Sequence, residues 1–320
     1  MPMSSNWQGV FVALPTQFHA SYEIDIGATM QHHDQLIGAG VHGVVVLGSI
    51  GENTSLSPTE KREVLGAAVA TARGRVPVLS GVAEFTTADA GRYARDAAGL
   101  GADGLMVLPA MVYRADTREA VAHYRTVAAA SPLPIIVYNN PRYGVDLTPP
   151  MFRELAVEPT IVAIKEASGD TRRLTDLVNA VGDRFTLFAG QDDTVLESVL
   201  LGASGTVFGL VNAFPAETMR MWELAVAGEW EQAREIYRWF MPLLHLDDHP
   251  KLVQYTKLAC QECGYGHERV RAPRLVLVGE ERERVLDLIR TAIATRPALD
   301  ALDALDATDA TARERRSLTA

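Results

Sequence analysis

The sequence predicts an α/β fold, a (β/α)8 TIM barrel with a helical extension at its carboxyl-terminal end. Two observations lead to this prediction. Short β-rich runs alternate with helical stretches at intervals of roughly 20 to 33 residues, which is the size of one βα unit. Most runs are continuously apolar, for example Val-Val-Val-Leu at 44–47 and Ile-Ile-Val at 135–137. Such runs are typical of parallel strands that are covered on both faces.

The runs of this kind predict the strands of the barrel. They span residues 9–14, 43–47, 76–80, 104–108, 134–138, 161–165, 185–189 and 205–208. Eight strands favour a closed barrel over an open, doubly wound sheet. The first run is not followed by the G-x-G-x-x-G pattern of dinucleotide-binding folds, which argues against that alternative.

Helix signals lie between the runs and continue after them. Ser57 can cap a helix whose first residue is Pro58 and whose first turn carries Glu60. After residue 212 only helical patterns follow, at residues 215–227, 230–246, 250–263 and 280–295. These helices outnumber the single one that closes a barrel, so the others are expected to form the extension.

These patterns divide the chain into three parts. Residues 1–212 are expected to form the barrel core, and residues 213–296 the barrel-closing helix and the helical extension. Residues 297–320 repeat Ala-Leu-Asp and then become charged. This composition buries little apolar surface and favours a disordered tail.

Composition and charge exclude several classes of partner. The formal net charge of −10 and the acidic pI disfavour nucleic acid as a partner. No run of eighteen apolar residues is present, which argues against a membrane span. The start of the chain lacks the pattern of a signal peptide, so a cytoplasmic protein is expected.

Cys260 and Cys263 form a lone C-x-x-C in a helical segment. Structural thiols are expected there in preference to a redox pair or a zinc site.

Lys165 closes the apolar run at 161–165 and is the strongest candidate for chemistry. The pKa of a free lysine is about 10.4, and burial lowers it because burial disfavours the charged ammonium. The neutral amine can attack a ketone and form a Schiff base. In the alternative interpretation, the side chain simply leaves the strand end and reaches water.

The carboxyl ends of barrel strands meet on one face, where active sites form. Tyr138 ends the fifth run beside Lys165 on the sixth, so we expect a phenol and an amine in one cavity, where the phenol can relay protons. Gly48, Gly51 and Gly190 follow other strands and allow backbone amides to approach a carboxylate. Each feature also has a structural interpretation, since a tyrosine here is often a core ring and the glycines can serve only a tight turn.

These residues resemble the class I aldolase superfamily of dihydrodipicolinate synthase and N-acetylneuraminate lyase. The similarity runs from about residue 9 to residue 294. It includes Leu-Pro-Thr at 14–16, Gly-Ser-Ile-Gly-Glu at 48–52, Tyr-Asn-Asn-Pro at 138–141 and Ala-Ile-Lys-Glu at 163–166. The resemblance implies the barrel with its extension, a homotetramer, and no metal or organic cofactor.

The resemblance also implies roles for individual residues. Lys165 would form the Schiff base, and Tyr138 would carry protons to and from the intermediates. Ser49, together with the backbone at Ile50 and Gly51, would hold the carboxylate of the substrate.

Three positions depart from the family pattern. Ile50 stands where the family usually has a second hydroxyl residue, which leaves more of the carboxylate binding to backbone amides. In the loop after the fourth run, Val112 aligns with the second tyrosine of the synthase branch, and Tyr113 is the nearest substitute. Arg142 matches the synthase's arginine for a second carboxylate only with a one-residue deletion. These differences argue against the lysine-biosynthetic reaction.

The predicted function is a Schiff-base-forming lyase acting on a pyruvate-type 2-oxo acid or its imine, by aldol chemistry, dehydration or deamination. Two specific alternatives are 1-pyrroline-4-hydroxy-2-carboxylate deaminase of hydroxyproline catabolism and 4-hydroxy-tetrahydrodipicolinate synthase. A catalytically retired barrel that binds a small acid is the alternative that is not an enzyme. The residues expected to contact the rest of the substrate are Tyr113, Asn140, Arg142, Gly190 and Asp192. Asp192 and Asp193 also suit the cap of the next helix.

Two histidine motifs raise the question of a metal. His245 and His249 flank two aspartates, but Pro250 follows, and the segment belongs to the extension. We expect it to be a polar helix end away from the strand ends, and not a set of metal ligands. His32 and His33 are expected to be a surface pair on the first helix. No metal site is therefore predicted.

Overall fold

The computed structural model describes residues 7–110 and 113–299, and its centre is a closed barrel of parallel strands. Each strand pairs with the next in sequence, and the first also pairs with the last, which closes the barrel. The strands are β1 Gly9–Ala13, β2 Gly43–Val46, β3 Val78–Val82, β4 Gly104–Val107, β5 Ile135–Asn139, β6 Ile161–Glu166, β7 Thr186–Ala189 and β8 Gly205–Phe208. The predicted (β/α)8 barrel is confirmed.

Helices alternate with the strands and then continue as the extension. They are α1 Ile26–Gly38, α2 Pro58–Ala72, α3 Thr87–Gly99, α4 Thr117–Ala130, α5 Pro149–Leu155, α6 Arg172–Val181, α7 Val195–Leu200, α8 Pro215–Ala227, α9 Trp230–Leu244, α10 Leu252–Glu262 and α11 Gly279–Ala294. In the part of the chain that the structure describes, no helix is both long enough and apolar enough to cross a membrane. The division at residue 212 stays a prediction, and the tail from residue 300 onward lies outside the described residues.

Most predicted boundaries fall within two residues of the observed ones. The third strand lies at Val78–Val82 and not at 76–80, because Pro77 has no N–H to donate to the sheet. The strand continues through Gly81, where a Cβ would lie only 2.1 Å from the Leu47 carbonyl oxygen. Helix α9 ends at Leu244, before the predicted residue 246. The residues after Leu244 therefore form a turn between α9 and α10 in place of another helical turn.

Side chains fill the interior of the barrel. Phe11 on β1 and Phe188 on β7 meet edge to face with ring centroids 5.4 Å apart. Glycines make room for both rings, since a Cβ at Gly43 would lie 2.3 Å from Phe11 and one at Gly205 would lie 2.4 Å from Phe188. This packing leaves the open cavity at the end of the barrel where the carboxyl ends of the strands meet.

The prediction that His32 and His33 form a surface pair is wrong. Both are buried on the inner face of α1. Together with Thr29 and Leu36 they have the spacing of a helical stripe that faces the core. The His32 Nε2 lies 2.9 Å from the Asn212 carbonyl oxygen. Burial lowers the pKa of each imidazole to about 4, so both rings are neutral at physiological pH.

A buried ion pair joins the extension to the barrel. Lys257 on α10 donates to the Glu52 carboxylate at 2.6 Å, and both side chains are fully buried. Lys257 also donates to the Arg269 carbonyl at 2.6 Å, and the Glu52 carboxylate accepts the Arg271 N–H at 3.0 Å. Removal of either charged group is expected to lower the stability of the fold, because a buried charge that loses its partner is costly.

Candidate active site

The carboxyl ends of β5 and β6 place an amine over a phenol ring. Tyr138 and Lys165 are direct partners in the sheet register, and both side chains are buried. The Lys165 Nζ lies 4.1 Å from the centroid of the Tyr138 ring. Both residues line one narrow cavity of about 30 Å³ at the strand ends. The structure thus brings these two predicted residues together.

Burial shifts the pKa values of the two groups in opposite directions. It lowers the pKa of Lys165, although the nearby Asp247 and Tyr143 act in the opposite direction, so this amine loses its proton more readily than a lysine in water. Burial raises the pKa of Tyr138, whose hydroxyl accepts a hydrogen bond from Asn140 Nδ2 at 3.1 Å. The site can therefore supply a nucleophilic amine next to a phenol that keeps its proton until a reaction removes it.

A second tyrosine, which the sequence prediction missed, lies beside this pair. Tyr143 stands on the short helical turn Pro141–Tyr143 after β5, and its hydroxyl donates to Ser49 Oγ at 2.5 Å. Its ring meets that of Tyr138 edge to face, with centroids 6.0 Å apart. The sequence contained a signal for it, because Arg142 matches the family's arginine only with a gap and Tyr143 is the ungapped position.

The turn after β2 forms another wall of the cavity. Ser49 and Ile50 line it, and the apolar Ile50 side chain is buried. Gly51 lies behind this wall, where a Cβ would lie 2.7 Å from the backbone nitrogen of Leu47. Gly190 lines the cavity from β7, and a Cβ there would lie 2.5 Å from a carbonyl oxygen at the end of β6. Both glycines are needed for close backbone approach.

Arg142 lies at the mouth of the cavity, and another side chain already pairs with it. Its guanidinium forms an ion pair with Asp248, and its Nη1 donates to the Asp247 carbonyl at 3.3 Å. Gln191 Nε2 donates to the same Asp248 carboxylate at 2.9 Å. These contacts connect the barrel to the extension across the opening.

Tyr113 does not lie in the site. Its surface is 59% exposed, and its hydroxyl interacts with Glu119 at the start of α4. Met111 and Val112, which precede it in the same loop, lie outside the described residues. The described part of this loop therefore offers no replacement for the family's second tyrosine.

The segment between His245 and His249 does not lie away from the strand ends, contrary to the prediction. Helix α9 ends before it, and the segment turns across the opening so that Asp247 lines the cavity. Asp192 lies behind Asp247, where its carboxylate accepts backbone N–H groups of the loop after β8. Among the described residues, no three His, Cys, Asp or Glu side chains form a group that could hold a metal ion.

Comparisons with known proteins relate this fold and site to one family. The model of the dihydrodipicolinate synthetase family matches residues 6–292. The 4-hydroxy-tetrahydrodipicolinate synthase of Methanospirillum hungatei is 36% identical over 287 residues, which cover 88% of this chain and 98% of the relative. The crystal structure of dihydrodipicolinate synthase from Aquifex aeolicus superimposes with a TM-score of 0.84 at 28% identity, covering 89% of this chain and 98% of its own. YagE of E. coli K12, a prophage protein of the same family in complex with pyruvate, gives a TM-score of 0.84 at 25% identity, covering 90% and 99%.

Proposed function

The chain belongs to the dihydrodipicolinate synthetase family and is an enzyme of the class I aldolase and lyase type, and we propose that Lys165 forms a Schiff base with a pyruvate-type 2-oxo acid or its imine. One observation carries this proposal. The Lys165 amine is buried over the ring of Tyr138, in a cavity that also contains the hydroxyl pair of Ser49 and Tyr143. An exposed lysine would stay protonated, and one without hydroxyl neighbours would lack a group to exchange protons with the carbinolamine.

The proposed reaction gives each of these residues a role. The Lys165 amine attacks C2 of the substrate, and Tyr138 protonates the oxygen that leaves as water, or the ring nitrogen when the substrate is a cyclic imine. Ser49 and the adjacent backbone amides hold the C1 carboxylate. The Tyr143 hydroxyl, which donates a hydrogen bond to Ser49, adds a second phenol to the proposed path for proton transfer. By the same resemblance we propose a cytoplasmic homotetramer without a metal or organic cofactor.

The surroundings of Arg142 favour a cyclic imine over a second reactant that carries its own carboxylate. The synthase is the other candidate, because relatives at this similarity have that name. Its arginine must receive a substrate carboxylate, whereas Arg142 pairs with Asp248, which the substrate would have to displace. We therefore favour deamination of 1-pyrroline-4-hydroxy-2-carboxylate, in which Lys165 exchanges with the ring nitrogen and ammonia is released later.

Reductive trapping tests the proposal. Sodium borohydride should fix an adduct when the protein is treated with pyruvate, a larger 2-oxo acid or the cyclic imine, and peptide mapping should locate it on Lys165. Lys257 and Lys61 are internal controls, because both are buried in ion pairs and should stay unmodified.

Each outcome of the trapping experiment favours a different function. An adduct from the cyclic imine with release of ammonia would support the deaminase. A pyruvate adduct that goes on to condense with an aldehyde would support the synthase. If none of the compounds gives an adduct, the Schiff-base proposal fails and the retired barrel that binds a small acid takes its place.

The two tyrosines near the site should differ in their effect on turnover. Tyr143→Phe should lower kcat by about 10²-fold or more, since it removes a hydroxyl from the proton path. Tyr113→Phe, its matched control, should stay within about twofold of wild type, because that ring is exposed and outside the cavity. Steady-state kinetics with the substrate found by trapping would measure both. Equal effects of the two variants would remove Tyr143 from the proposed path.

A further inference from the structure

Asp247 brings a carboxyl group from the extension into the barrel site. It lies in the turn between α9 and α10 and lines the cavity of Lys165. Its carbonyl oxygen accepts a hydrogen bond from Arg142 Nη1, and its Oδ2 lies 3.4 Å from the Asp192 backbone nitrogen. The residue is thus held from two sides with its carboxyl group inside, and the steps described above do not use it.

A second carboxyl group lies directly behind it. Asp192 is fully buried, and its oxygens accept the N–H groups of Gly209 at 3.0 Å and Leu210 at 2.8 Å. Both carboxyl groups converge on Gly209, where a Cβ would lie 3.2 Å from Asp247 Oδ1 and 3.3 Å from Asp192 Oδ2. Two carboxylates this close repel each other, so the pair keeps a proton at a pH where an exposed carboxyl group has lost its own.

The hydrogen bonds assign that proton to Asp247. The N–H groups of Gly209 and Leu210 stabilise the charged form of Asp192. The Asp247 carboxyl group accepts only one hydrogen bond, the long one from the Asp192 nitrogen. The charges of Lys165 and Arg142 favour its charged form, and the attraction of Lys165 is lost once that residue has become a neutral enamine. Burial raises the pKa of both carboxyl groups, and the neighbouring Asp247 raises the pKa of Asp192 as well, which supports a proton shared between them.

We propose that Asp247 is a general acid for a leaving group on the substrate, and that Asp192 is the positioning residue that keeps the proton on it. This inference rests on the function proposed above, because the leaving group departs from the Lys165 Schiff base. The substrate class is a 2-oxo acid or cyclic imine with a hydroxyl or amine group on C4. A substrate with a carboxylate at that place would be repelled by the acidic pair.

The step is an elimination whose atoms and electrons balance within the site. The Tyr138 phenolate, which remains after the protonation described above, takes a proton from C3. The nitrogen lone pair of the resulting Lys165 enamine then forms the C=N bond, and the C2=C3 pair moves to C3=C4. The C4–O bond breaks and its electron pair stays on oxygen, which takes the Asp247 proton and leaves as water. The products are an unsaturated iminium on Lys165, a water molecule and the carboxylate of Asp247, which regains a proton from the buffered solvent.

Asp247→Asn separates this step from Schiff-base formation. With 1-pyrroline-4-hydroxy-2-carboxylate as the probe, the variant should still give the borohydride adduct on Lys165. Its kcat for ammonia release should fall by about 10²- to 10⁴-fold with little change in KM, because only the proton donor is lost. Asp287→Asn, which changes an exposed aspartate of α11, is the matched control and should keep wild-type kinetics. Asp247→Glu should restore part of kcat.

The pH profile adds a readout that a structural role would not change. A general acid works only when protonated, so wild-type kcat should fall as the pH rises through the pKa of Asp247. This alkaline limb should be absent in Asp247→Asn. The titratable and charged groups that face Asp247 are Arg142, Lys165, Asp192, Asp193, Tyr138, Tyr143 and Asp248. All of them are retained in the variant, so loss of the limb reports on Asp247.

Several results would overturn the proposal. One is wild-type kcat in Asp247→Asn, and another is an Asp247→Glu variant no more active than the asparagine variant. Loss of the adduct in Asp247→Asn with an intact circular dichroism spectrum would overturn it as well, because the residue would then serve Schiff-base formation. If the wild-type protein itself gives no adduct, the proposed function fails first, and that result is distinct from the others.

Discussion

Lys165→Arg should abolish the borohydride adduct and reduce kcat/KM by at least about 10⁴-fold, because the covalent intermediate can no longer form. The guanidinium keeps a positive charge next to Asp247 and Tyr138, but it stays protonated in proteins and cannot attack a ketone or an imine. The variant therefore removes the nucleophile while a long basic side chain still occupies this position. Intact mass after reduction and steady-state kinetics with the trapped substrate would measure both effects.

Lys251→Arg is the control for this substitution. Lys251 pairs with Glu281 on the outside of the extension, so the same change there should leave the adduct and the rate unaltered. An adduct that persists in Lys165→Arg, or a residual rate above about 1% of wild type, would contradict the assignment of Lys165 as the nucleophile.

Lys257→Met should lower the free energy of unfolding by about 3–5 kcal/mol, the usual cost of breaking a buried ion pair by removing one partner. Methionine has a similar length, so the main loss is electrostatic: Glu52 stays fully buried with only the more distant guanidinium of Arg274, at 3.9 Å, as a cationic partner. The contact of the Lys257 Nζ with the Phe18 ring, at 4.4 Å from the centroid, is lost as well. Urea denaturation followed by circular dichroism would measure the change.

The double variant Lys257→Met/Glu52→Gln identifies the source of that loss. It should recover part of the stability, because it leaves no uncompensated charge in the interior. Lys251→Met is the matched control, and since its ion pair with Glu281 is partly exposed, the expected cost is at most about 1 kcal/mol. A double variant less stable than Lys257→Met would show that Glu52 is satisfied without the lysine.

The fold could be predicted because its information is local. Apolar runs such as residues 44–47 mark the buried parallel strands, and their number determines the closed barrel. A strand boundary departs from the apolar pattern where a single residue changes the pairing, as Pro77 does before β3. The polar character of His32 and His33 hides their position, whereas their spacing with Leu36 indicates the core-facing side of α1.

The candidate site could be predicted only where strands carry it. Tyr138 and Lys165 meet because sheet register fixes their positions, so the order of the strands was enough to bring them together. Tyr113 and Tyr143 each follow a strand by a few residues, and only the path of each loop decides that Tyr143 turns inward. Asp247 belongs to the extension, and no local pattern encodes where an extension packs on a barrel.

The turn that carries Asp247 has a consequence for how such an enzyme can diversify. The proposed nucleophile Lys165 and the phenol of Tyr138 stand on the sheet, where most substitutions would disturb the packing of neighbouring strands. The turn lies outside the barrel in sequence but over its opening in space. If Asp247 has the role proposed above, mutations, insertions or recombination in this turn should change which leaving groups are accepted and leave the chemistry of the Lys165 amine unchanged. Libraries confined to residues 245–249 are therefore a direct route to new reactions on this scaffold.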